Sequence, residues 1–176
     1  MIKFPTEDKL TDGTPIVIRF IRPDDKERLR TAFKKLSPHS NYLRFLTPVG
    51  NLTQSQLKYL TEVDQKTHVA IGAHDKDLNG IGVARYIKIK DEPDTAEFAI
   101  TIIDEHQNKG LGTKLLQLLI EAAIENGIQK LIGFVLEENT CMLHIINKLE
   151  AVINRDEENI LRVEIELSTT KQKHFF

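Results

Sequence analysis

The stretch best suited to ligand chemistry is a short loop with two glycines and a lysine, Gln107-Asn108-Lys109-Gly110-Leu111-Gly112-Thr113. A β-like run from Thr95 to Ile103 leads into the loop, and an amphipathic helix from about Gly110 to Glu125 leads out of it. The first N–H groups of a helix lack intrahelical partners, and the helix dipole places partial positive charge there. A glycine has no Cβ, so an anion can approach its backbone closely. The loop is therefore predicted to bind a phosphate or pyrophosphate group, with Lys109 adding positive charge.

Spacing separates three classes of ligand that such loops hold. A P-loop needs a glycine, four residues, and then Gly-Lys-Ser/Thr, but here Thr113 directly follows Gly112 and no glycine lies five positions before it. A dinucleotide fingerprint needs a third glycine where Leu115 stands, so that match is partial. The third pattern, Gln-x-x-Gly-x-Gly, is met by Gln107, Gly110 and Gly112. The alternative to a ligand loop is an ordinary helix start that contains two glycines by chance.

Length and composition limit the classes of protein and partner. The 176 residues suit one domain, expected over residues 1–170, with a frayed tail over 171–176. The net charge is −2 and no basic block stands out, which argues against nucleic acid as a partner. No apolar run reaches the length of a membrane span, and no signal peptide is recognisable. The single cysteine, Cys141, excludes an internal disulfide framework and fits a reducing cytoplasm.

Hydrophobic periodicity and turn residues predict the order of the elements around the loop. Strands are expected over 3–10, 16–21, 68–73, 81–87, 95–103, 130–136, 152–155 and 160–167, and helices over 23–36, 40–45, 53–60, 110–125 and 139–149. A turn is expected over 91–94, where Pro93 stands, and the tail from Ser168 is expected to fray. The strand–helix–strand unit over 95–136 requires a parallel pair, so the fold class is α+β (mixed α/β) with a mixed central sheet.

Further segments extend the match of the loop to a known family. The strand before the loop carries Glu97-Phe98-Ala99-Ile100, Asn139 follows the next strand, and the segment 142–149 is similar to a second cofactor helix. With these segments, nearly the whole chain resembles the GNAT N-acetyltransferase superfamily. The resemblance implies the GNAT fold, a mixed and mostly antiparallel twisted sheet flanked by helices. It also implies acetyl-CoA as co-substrate and no metal.

The similarity is greater to one branch of that superfamily. The segments 18–25, 36–45, 96–99 and 138–143 look like the acetyltransferase domain of bacterial protein lysine acetyltransferases. That domain is often fused to an acyl-CoA-synthetase-like or cyclic-nucleotide-binding domain, for which this chain has no room. The branch implies transfer of acetyl to a primary amine, a protein lysine. Alternatives are a small-molecule amine as acceptor, a non-catalytic CoA-binding domain, and a nucleotide-binding enzyme that uses the same loop.

Two positions depart from the family pattern. Many superfamily members carry a tyrosine seven residues after the asparagine, as general acid to the leaving thiolate, but Ile146 stands there in this chain. The lysine-acetyltransferase branch also tends to lack that tyrosine, so the thiolate is expected to leave unassisted. The branch usually follows Lys-Leu with Gly-Phe, whereas Glu150-Ala151 stands here. The second departure affects the local turn rather than the chemistry.

An amine acceptor must be neutral before it can attack a thioester. A free lysine has a pKa of about 10.4, so at neutral pH roughly one molecule in a thousand is ready, a shortfall of about 4 kcal/mol. A general base recovers part of this, and Glu97 is the best candidate because the family's strand before the loop borders the thioester. The alternative role for Glu97 is a solvated strand charge opposite Arg85. Asp104 is the second candidate base, and its alternative role is to cap the loop or the next helix.

The resemblance also assigns binding roles. The loop residues 107–113 would hold the pyrophosphate, a backbone N–H near Ile102 or Ile103 would stabilise the oxyanion, and Asn139 would contact the pantetheine amides or cap its helix. The acceptor side would include Tyr42, Arg44 and Phe45. The six histidines lack the spacing of metal ligands. Cys141 could form an acyl-enzyme, although a small half-buried helix residue is the simpler interpretation. The oligomeric state stays open.

Overall fold

The computed structural model describes residues 2–167 of the chain. Within that range eight strands form one sheet, and the strands are β1 Thr6–Lys9, β2 Pro15–Phe20, β3 His68–His74, β4 Gly80–Ile89, β5 Glu92–Ile102, β6 Lys130–Leu136, β7 Val152–Glu157 and β8 Ile160–Glu166. The helices of the same range are α1 Lys26–Lys34, α2 Pro38–Phe45, α3 Gln54–Thr61, α4 Leu111–Glu125 and α5 Thr140–Asn147. Short 3₁₀ turns precede α1 and follow β5. None of these helices is long and apolar enough to cross a membrane.

The sheet has the order β1-β2-β3-β4-β5-β6-β8-β7. Every neighbouring pair is antiparallel except β5 and β6, which are parallel because α4 carries the chain back across the sheet between them. The predicted fold class, a mixed and mostly antiparallel sheet flanked by helices, is therefore confirmed.

The helices cover the two faces of the sheet. α4 packs against β3, β4 and β5, and its stripe of Leu111, Leu115 and Leu119 is fully buried, as the spacing of four residues requires. Each such leucine contributes about 1.5–3 kcal/mol of transfer free energy. α5 adjoins α4, whereas α1 packs against β4, α2 against β5 and β6, and α3 against α1. The main core thus lies under α4, and it holds the helix that begins at the glycine loop.

Two of the element boundaries that differ from the predictions have a clear physical reason. The turn expected over 91–94 lies earlier, at Lys90 and Asp91, because β5 already begins at Glu92 and includes Pro93. A proline is tolerated there because β6 pairs with β5 only from Thr95, so no ladder hydrogen bond is lost. α2 begins at Pro38 rather than at residue 40, with Ser37 as N-cap accepting from the N–H of Ser40 at 3.1 Å. The predicted frayed tail, from Ser168 and over 171–176, lies outside the described residues.

Candidate active site

β5 and β6 are paired only at one end. The parallel ladder covers Thr95 to Glu97 on β5 and Lys130 to Ile132 on β6, after which the two strands diverge. A gap therefore opens in the middle of the sheet beside residues 98–102 of β5. Successive N–H groups of a strand point to opposite edges, so half of those in this segment point into the gap rather than to β4.

A cavity of about 610 Å³ occupies this gap and extends to the glycine loop, and we call it the cleft. Its lining includes seven of the predicted cofactor residues, namely Ile102, Gln107, Asn108, Gly110, Gly112, Thr113 and Asn139. Further lining residues come from α2, β5 and α5, among them His39, Ser40, Arg44, Ile100, Cys141 and His144. Sites for small ligands and cofactors have volumes of about 300–1,000 Å³, so the cleft is large enough for an extended one.

The backbone of the loop has the conformation that its glycines allow. Asn108 has φ +57° and Gly110 has φ +81°, both in the left-handed region, and Gly110 is the N-cap of α4. A Cβ on Gly110 would also lie 3.2 Å from Thr11 Cγ2, in the β1–β2 connection. Left-handed and right-handed residues in succession turn N–H groups to one side and form a concave anion site. The free N–H groups at the start of α4 point into the same region.

At Gly112 the need for glycine is steric, and it does not come from a left-handed backbone. A Cβ there would lie 2.9 Å from Ile145 Cδ1 on α5 and 3.4 Å from Ile102 Cδ1 on β5. The absence of a side chain therefore lets the first turn of α4 pack closely between α5 and β5. This contact fixes the helix N-terminus at the mouth of the gap.

Two of the predicted loop residues have side chains that do not line the cleft. Leu111 is buried in the core, so only its backbone can reach a ligand. The Nζ atom of Lys109 lies 2.9 Å from Asp12 Oδ2, while the carbonyl of Lys109 accepts from the N–H of Thr11 at 3.1 Å. Both ends of the ion pair are part exposed, and such pairs are weak, so a phosphate could replace Asp12 as partner of Lys109.

Ile102 and Ile103 differ in what their N–H groups contact. The N–H of Ile103 donates to the carbonyl of Ile81 on β4 at 3.0 Å, and its side chain is buried. Because N–H groups alternate along a strand, that of Ile102 points to the other edge, into the gap. Gln107 Nε2 donates to the carbonyl of Ile102 at 3.0 Å on the same edge. Of the two predicted oxyanion donors, Ile102 alone has the required direction.

α5 begins at the edge of the cleft. The Oδ1 atom of Asn139 accepts from the N–H of Met142 at 3.1 Å, so Asn139 is the N-cap of α5, and the residue also lines the cleft. Cys141 is exposed, and its Sγ donates to Asn108 Oδ1 at 3.3 Å. Ile146, at the position where many superfamily members have a tyrosine, is 0% exposed and belongs to the core. A general acid could not replace it without disrupting packing.

Glu97 lies where the two strands part. It is the last residue of β5 that pairs with β6, where Ile132 lies opposite, and Ile87 lies opposite it on β4. Its side chain is exposed and does not line the cleft, but its carboxylate favours the charged form of Arg44, which does. Arg85 is the cross-strand neighbour of Ala99, not of Glu97. The carboxylate thus stands at the closed end of the gap.

Asp104 holds two elements together. Its carboxylate accepts from the N–H of Ser37 and from the hydroxyl of Ser40, both at 3.0 Å, and Gln107 Nε2 donates to Ser40 Oγ at 3.0 Å. Burial acts to raise the pKa of Asp104, but the bonds from Ser37 and Ser40 hold it below its ordinary value. These contacts, which we call the clamp, join the start of α2 to the loop. A carboxylate so engaged is a poor base. Its partners lie at the start of α2, not in the loop or the next helix, which Asp104 was predicted to cap.

Sequence reasoning missed several residues of the site. Ile100, Thr101, His39 and Ser40 line the cleft, but the sequence assigned them no role in the site. Two of the three predicted acceptor-side residues line cavities. Arg44 lines the cleft, and both Arg44 and Phe45 line a second, smaller cavity. Tyr42 instead is 37% exposed and lines neither. Ser40 could have been found from its position four residues into a Ser-Pro helix start, which predicts a hydroxyl at a helix N-terminus.

Comparison with known proteins identifies the family. A model of the acetyltransferase (GNAT) domain matches residues 16–152. An acetyltransferase of Pseudomonas aeruginosa is 30% identical over 159 residues, covering 89% of this chain and 85% of that protein. The acetyltransferase Pat of Mycolicibacterium smegmatis is 29% identical over 93% of this chain, which spans 49% of Pat. The crystal structure of the GNAT domain of S. lividans PAT matches with a TM-score of 0.85 and 27% identity, covering 92% of this chain and 96% of that domain.

The fold and the match over most of the chain define an acetyltransferase. The chain belongs to the GNAT acetyltransferase family. The predicted family, its fold and its enzyme class are therefore confirmed, and the similarity to Pat and to S. lividans PAT agrees with the predicted branch.

Proposed function

We propose that this chain transfers an acetyl group from acetyl-CoA to a primary amine, that of a protein lysine, by direct attack. The observation that carries the proposal is the parting of β5 and β6 directly after Glu97. Strand N–H groups that point into the gap and an anion-binding loop follow one continuous cleft, and Glu97 stands at the closed end of the gap, outside the cleft lining. A thioester bound there would have a base at one end and a phosphate site at the other.

The residues suited to hold acetyl-CoA follow the cleft in order. The N–H groups of 110–113 at the start of α4 would bind the pyrophosphate, with Asn108 and Gln107 shaping the loop and Lys109 free to leave Asp12. The amide of Asn139 would donate to the pantetheine arm. The N–H of Ile102 would bind the thioester oxygen, where negative charge develops during attack.

Glu97 would act as the base of the reaction. It takes a proton from the acceptor ammonium, directly or through a water, and the freed nitrogen lone pair attacks the carbonyl carbon. The C–N bond forms, the nitrogen releases its second proton to solvent, the C–S bond breaks, and the electron pair leaves with sulfur. Because Ile146 is buried, the thiolate takes its proton from solvent rather than from a side chain. Near neutral pH a CoA thiolate is a good enough leaving group for this.

The acceptor is assigned from the branch resemblance. The similarity to Pat and to the GNAT domain of S. lividans PAT supports a protein lysine over a small amine. The proposed catalytic unit is a single domain over residues 1–170. The acceptor assignment is tested by incubating the chain with labelled acetyl-CoA and cell extract. Separate incubations contain polyamines, amino acids and aminoglycosides. Label on proteins supports the assignment, and turnover of a small amine alone overturns it.

The role of Glu97 is tested by Glu97→Gln, with Glu92→Gln as matched control on the same strand. Loss of a general base typically lowers the rate about 10²- to 10⁴-fold. The binding of acetyl-CoA, measured by thermal shift, should stay normal, and the remaining rate should keep rising into the alkaline range as more amine becomes neutral. Near wild-type release of free CoA at pH 7 by Glu97→Gln would dismiss this residue as the base. A chain that binds acetyl-CoA but releases no CoA with any acceptor would be a non-catalytic member of the family.

A further inference from the structure

A second cavity lies on the other side of β5, between the sheet and α1, α2 and α3, and we call it the chamber. Its volume is about 70 Å³. By the same measure a water molecule needs about 10–15 Å³, so the chamber has room for about five waters, or for a carboxylate with a short carbon chain. Arg44 and Thr101 line both cavities, so the chamber adjoins the cleft.

The walls of the chamber are apolar, but arginines stand at its end. Leu29, Phe33, Leu36, Phe45 and Leu60 are among the residues that line it. Arg85, on β4, is 5% exposed, and its Nη1 donates to the carbonyl of Leu60 at 3.3 Å and approaches His68 Nε2 to 3.0 Å. These contacts use one of its nitrogens. Its Nε and Nη2 groups have no hydrogen-bond partner within residues 2–167 and remain as donors.

Arg44 stands at the junction between the chamber and the cleft. It is half-buried, and its guanidinium carbon lies 4.8 Å from the centre of the Phe45 ring. In the part of the chain that the structure describes, no carboxylate oxygen lies within 4.0 Å of Arg44 or of Arg85. Glu97 acts on Arg44 from farther away. Two cations therefore face a small cavity without a direct counter-ion.

The other ionisable groups around the chamber do not neutralise these cations. Asp25 also lines it, but its carboxylate is held by Arg19 at 2.7 and 2.8 Å and by Arg28 at 3.2 Å. His74 is buried beside them, and burial first, then Arg19, lowers its pKa, which keeps it neutral. The chamber therefore retains an excess of positive charge.

The arrangement of two cations in a buried place lowers the pKa values of both arginines. Burial, and then the charge of Arg44, lowers the pKa of Arg85 to about 9. Burial likewise lowers the pKa of Arg44, against the attraction of Glu97. A buried cation without a partner is destabilising, and a bound anion would remove that cost. A carboxylate matches a guanidinium in shape, because it can accept two parallel hydrogen bonds.

We propose that the chamber binds a carboxylate of the acceptor, so that the preferred substrates are amines with a carboxylate a few atoms away. The inference that the ligand is part of the acceptor rests on the proposed transfer reaction, whereas carboxylate binding itself does not. The carboxylate enters past Arg44 and Thr101, pairs with Arg85, and leaves the amine at Glu97. It belongs either to an acidic residue beside the target lysine of a protein or to a small amino acid.

Binding is tested first, without catalysis. The full chain, labelled with ¹⁵N-arginine, is titrated with sodium propionate and, at equal ionic strength, with sodium chloride, and the Nε–Hε signals are followed by NMR. Arg85→Gln assigns the Arg85 signal, and Arg30→Gln is the matched control on the outer surface of α1. Arg44→Gln gives a second variant, at a position that is less buried than Arg85. We expect a saturable shift of the Arg85 and Arg44 signals with propionate alone. Equal shifts with chloride, or none, overturn the proposal.

Substrate preference is tested next with matched pairs of acceptors. One pair is a lysine peptide with a neighbouring glutamate or glutamine, and the other is β-alanine or its amide. A charge-assisted bidentate pair predicts a kcat/KM about 10- to 100-fold higher for the carboxylate member of one pair. The pair that shows the preference identifies the source. Arg85→Gln and Arg44→Gln should abolish the preference, while Arg30→Gln keeps it.

The outcomes separate the two proposals. If wild-type protein turns over both members of each pair equally, or if the preference survives in Arg85→Gln and in Arg44→Gln, the chamber is not a carboxylate site for the acceptor. If propionate binds to Arg85 but no amine is acetylated, the transfer reaction fails while the carboxylate site stands.

Discussion

The cleft and the chamber lie on opposite sides of β5 and are built in different ways. The cleft takes its shape from the backbone, through two strands that part after Glu97, left-handed residues at Asn108 and Gly110, and a helix start. The chamber takes its character from side chains, above all Arg44 and Arg85. The positions of N–H groups in a backbone site depend little on neighbouring side chains. The charge and position of buried cations depend instead on all the groups packed around them.

This difference indicates how each cavity selects its ligand. N–H groups at a helix start bind any phosphate of suitable size, so the cleft suits a co-substrate used by a whole family. Two unpaired guanidinium groups in an apolar wall discriminate by charge and shape, so the chamber suits a substrate particular to this chain. Substitutions in the cleft should therefore lower the affinity for acetyl-CoA. Substitutions in the chamber should instead change the use of the acceptor and the stability of the fold.

After Glu97→Gln, the largest effect is expected from Gly112→Asp. The new side chain would overpack against Ile145 and place a negative charge beside the pyrophosphate, which together should cost about 3–4 kcal/mol, or about 100- to 1,000-fold in affinity for acetyl-CoA. Isothermal titration measures the loss. Gly112→Ala adds the Cβ without the charge and should lose much less. Gly50→Asp is the control, because a Cβ at Gly50 meets nothing within 4 Å. Unchanged affinity in Gly112→Asp would mean that the phosphates bind elsewhere.

The loop and its helix could be predicted because their signals are local. Gln107, Gly110 and Gly112 lie within six residues, and the leucine stripe of α4 follows directly. The parallel pair of strands followed from the strand–helix–strand order. The chain order does not show, however, where β5 and β6 part. A ladder of three paired residues and one of seven have the same appearance in the sequence. Pro93 illustrates the same limit, since its place in a strand depends on where the neighbouring strand begins.

The chamber could not be predicted, because its parts are far apart in the chain. Arg44 on α2 and Arg85 on β4 meet only in the folded protein, and each alone resembles a surface charge. The clamp has the same property, because Ser40 and Asp104 are separated by 64 residues. Asp104 was predicted as a base or as a cap of the loop or next helix, but its carboxylate bonds to Ser37 and Ser40 at the start of α2. Long-range polar contacts are thus the part of the site that only the structure shows.

A smaller effect is expected in the response of stability to pH. Burial, and then Arg85, lowers the pKa of His68 from 6.5 to about 4, although Asp64 acts to raise it. Between pH 6.5 and about 4, His68 therefore binds a proton in the unfolded chain but not in the folded chain. Stability from this histidine is complete above pH 6.5 and is lost as pH falls to about 4, by up to about 3 kcal/mol. His74, whose pKa is also lowered, adds a loss of the same sign.

Denaturant unfolding at a series of pH values measures this loss, and NMR gives the pKa of His68 directly. Arg85→Met removes one cause of the lowered pKa and leaves burial, so the pKa of His68 should rise and the loss between pH 6.5 and 4 should shrink. Arg30→Met, which removes a surface cation, should leave both unchanged. A pKa of His68 near 6.5 in the wild-type protein would contradict the close contact with Arg85.

An effect of about tenfold is expected from Asp104→Asn. The substitution keeps the shape but weakens the charge-assisted bonds to Ser37 and Ser40, which should loosen Gln107 and lower kcat/KM for acetyl-CoA by about one order of magnitude. The pH profile of the reaction should keep its wild-type form, because the clamp does not move the substrate proton. Asp91→Asn, in an exposed turn, is the control. A larger loss than in Glu97→Gln, together with an altered pH profile, would make Asp104 the base.

The smallest effect is expected from Cys141→Ala, which tests whether the cleft contributes anything beyond binding. Cys141 lies at the edge of the cleft, where its Sγ donates only a weak bond to Asn108, and the transfer we propose needs no acyl-enzyme. Activity should change less than about threefold, since a thiol bond to an amide is worth little. Initial rates measured against both substrates should give intersecting lines, the pattern of a ternary complex. Parallel lines and an inactive Cys141→Ala would instead show that acetyl passes through the thiol. The cleft would then take a covalent part in the reaction, and the contrast with the chamber, in which side chains alone discriminate, would no longer hold.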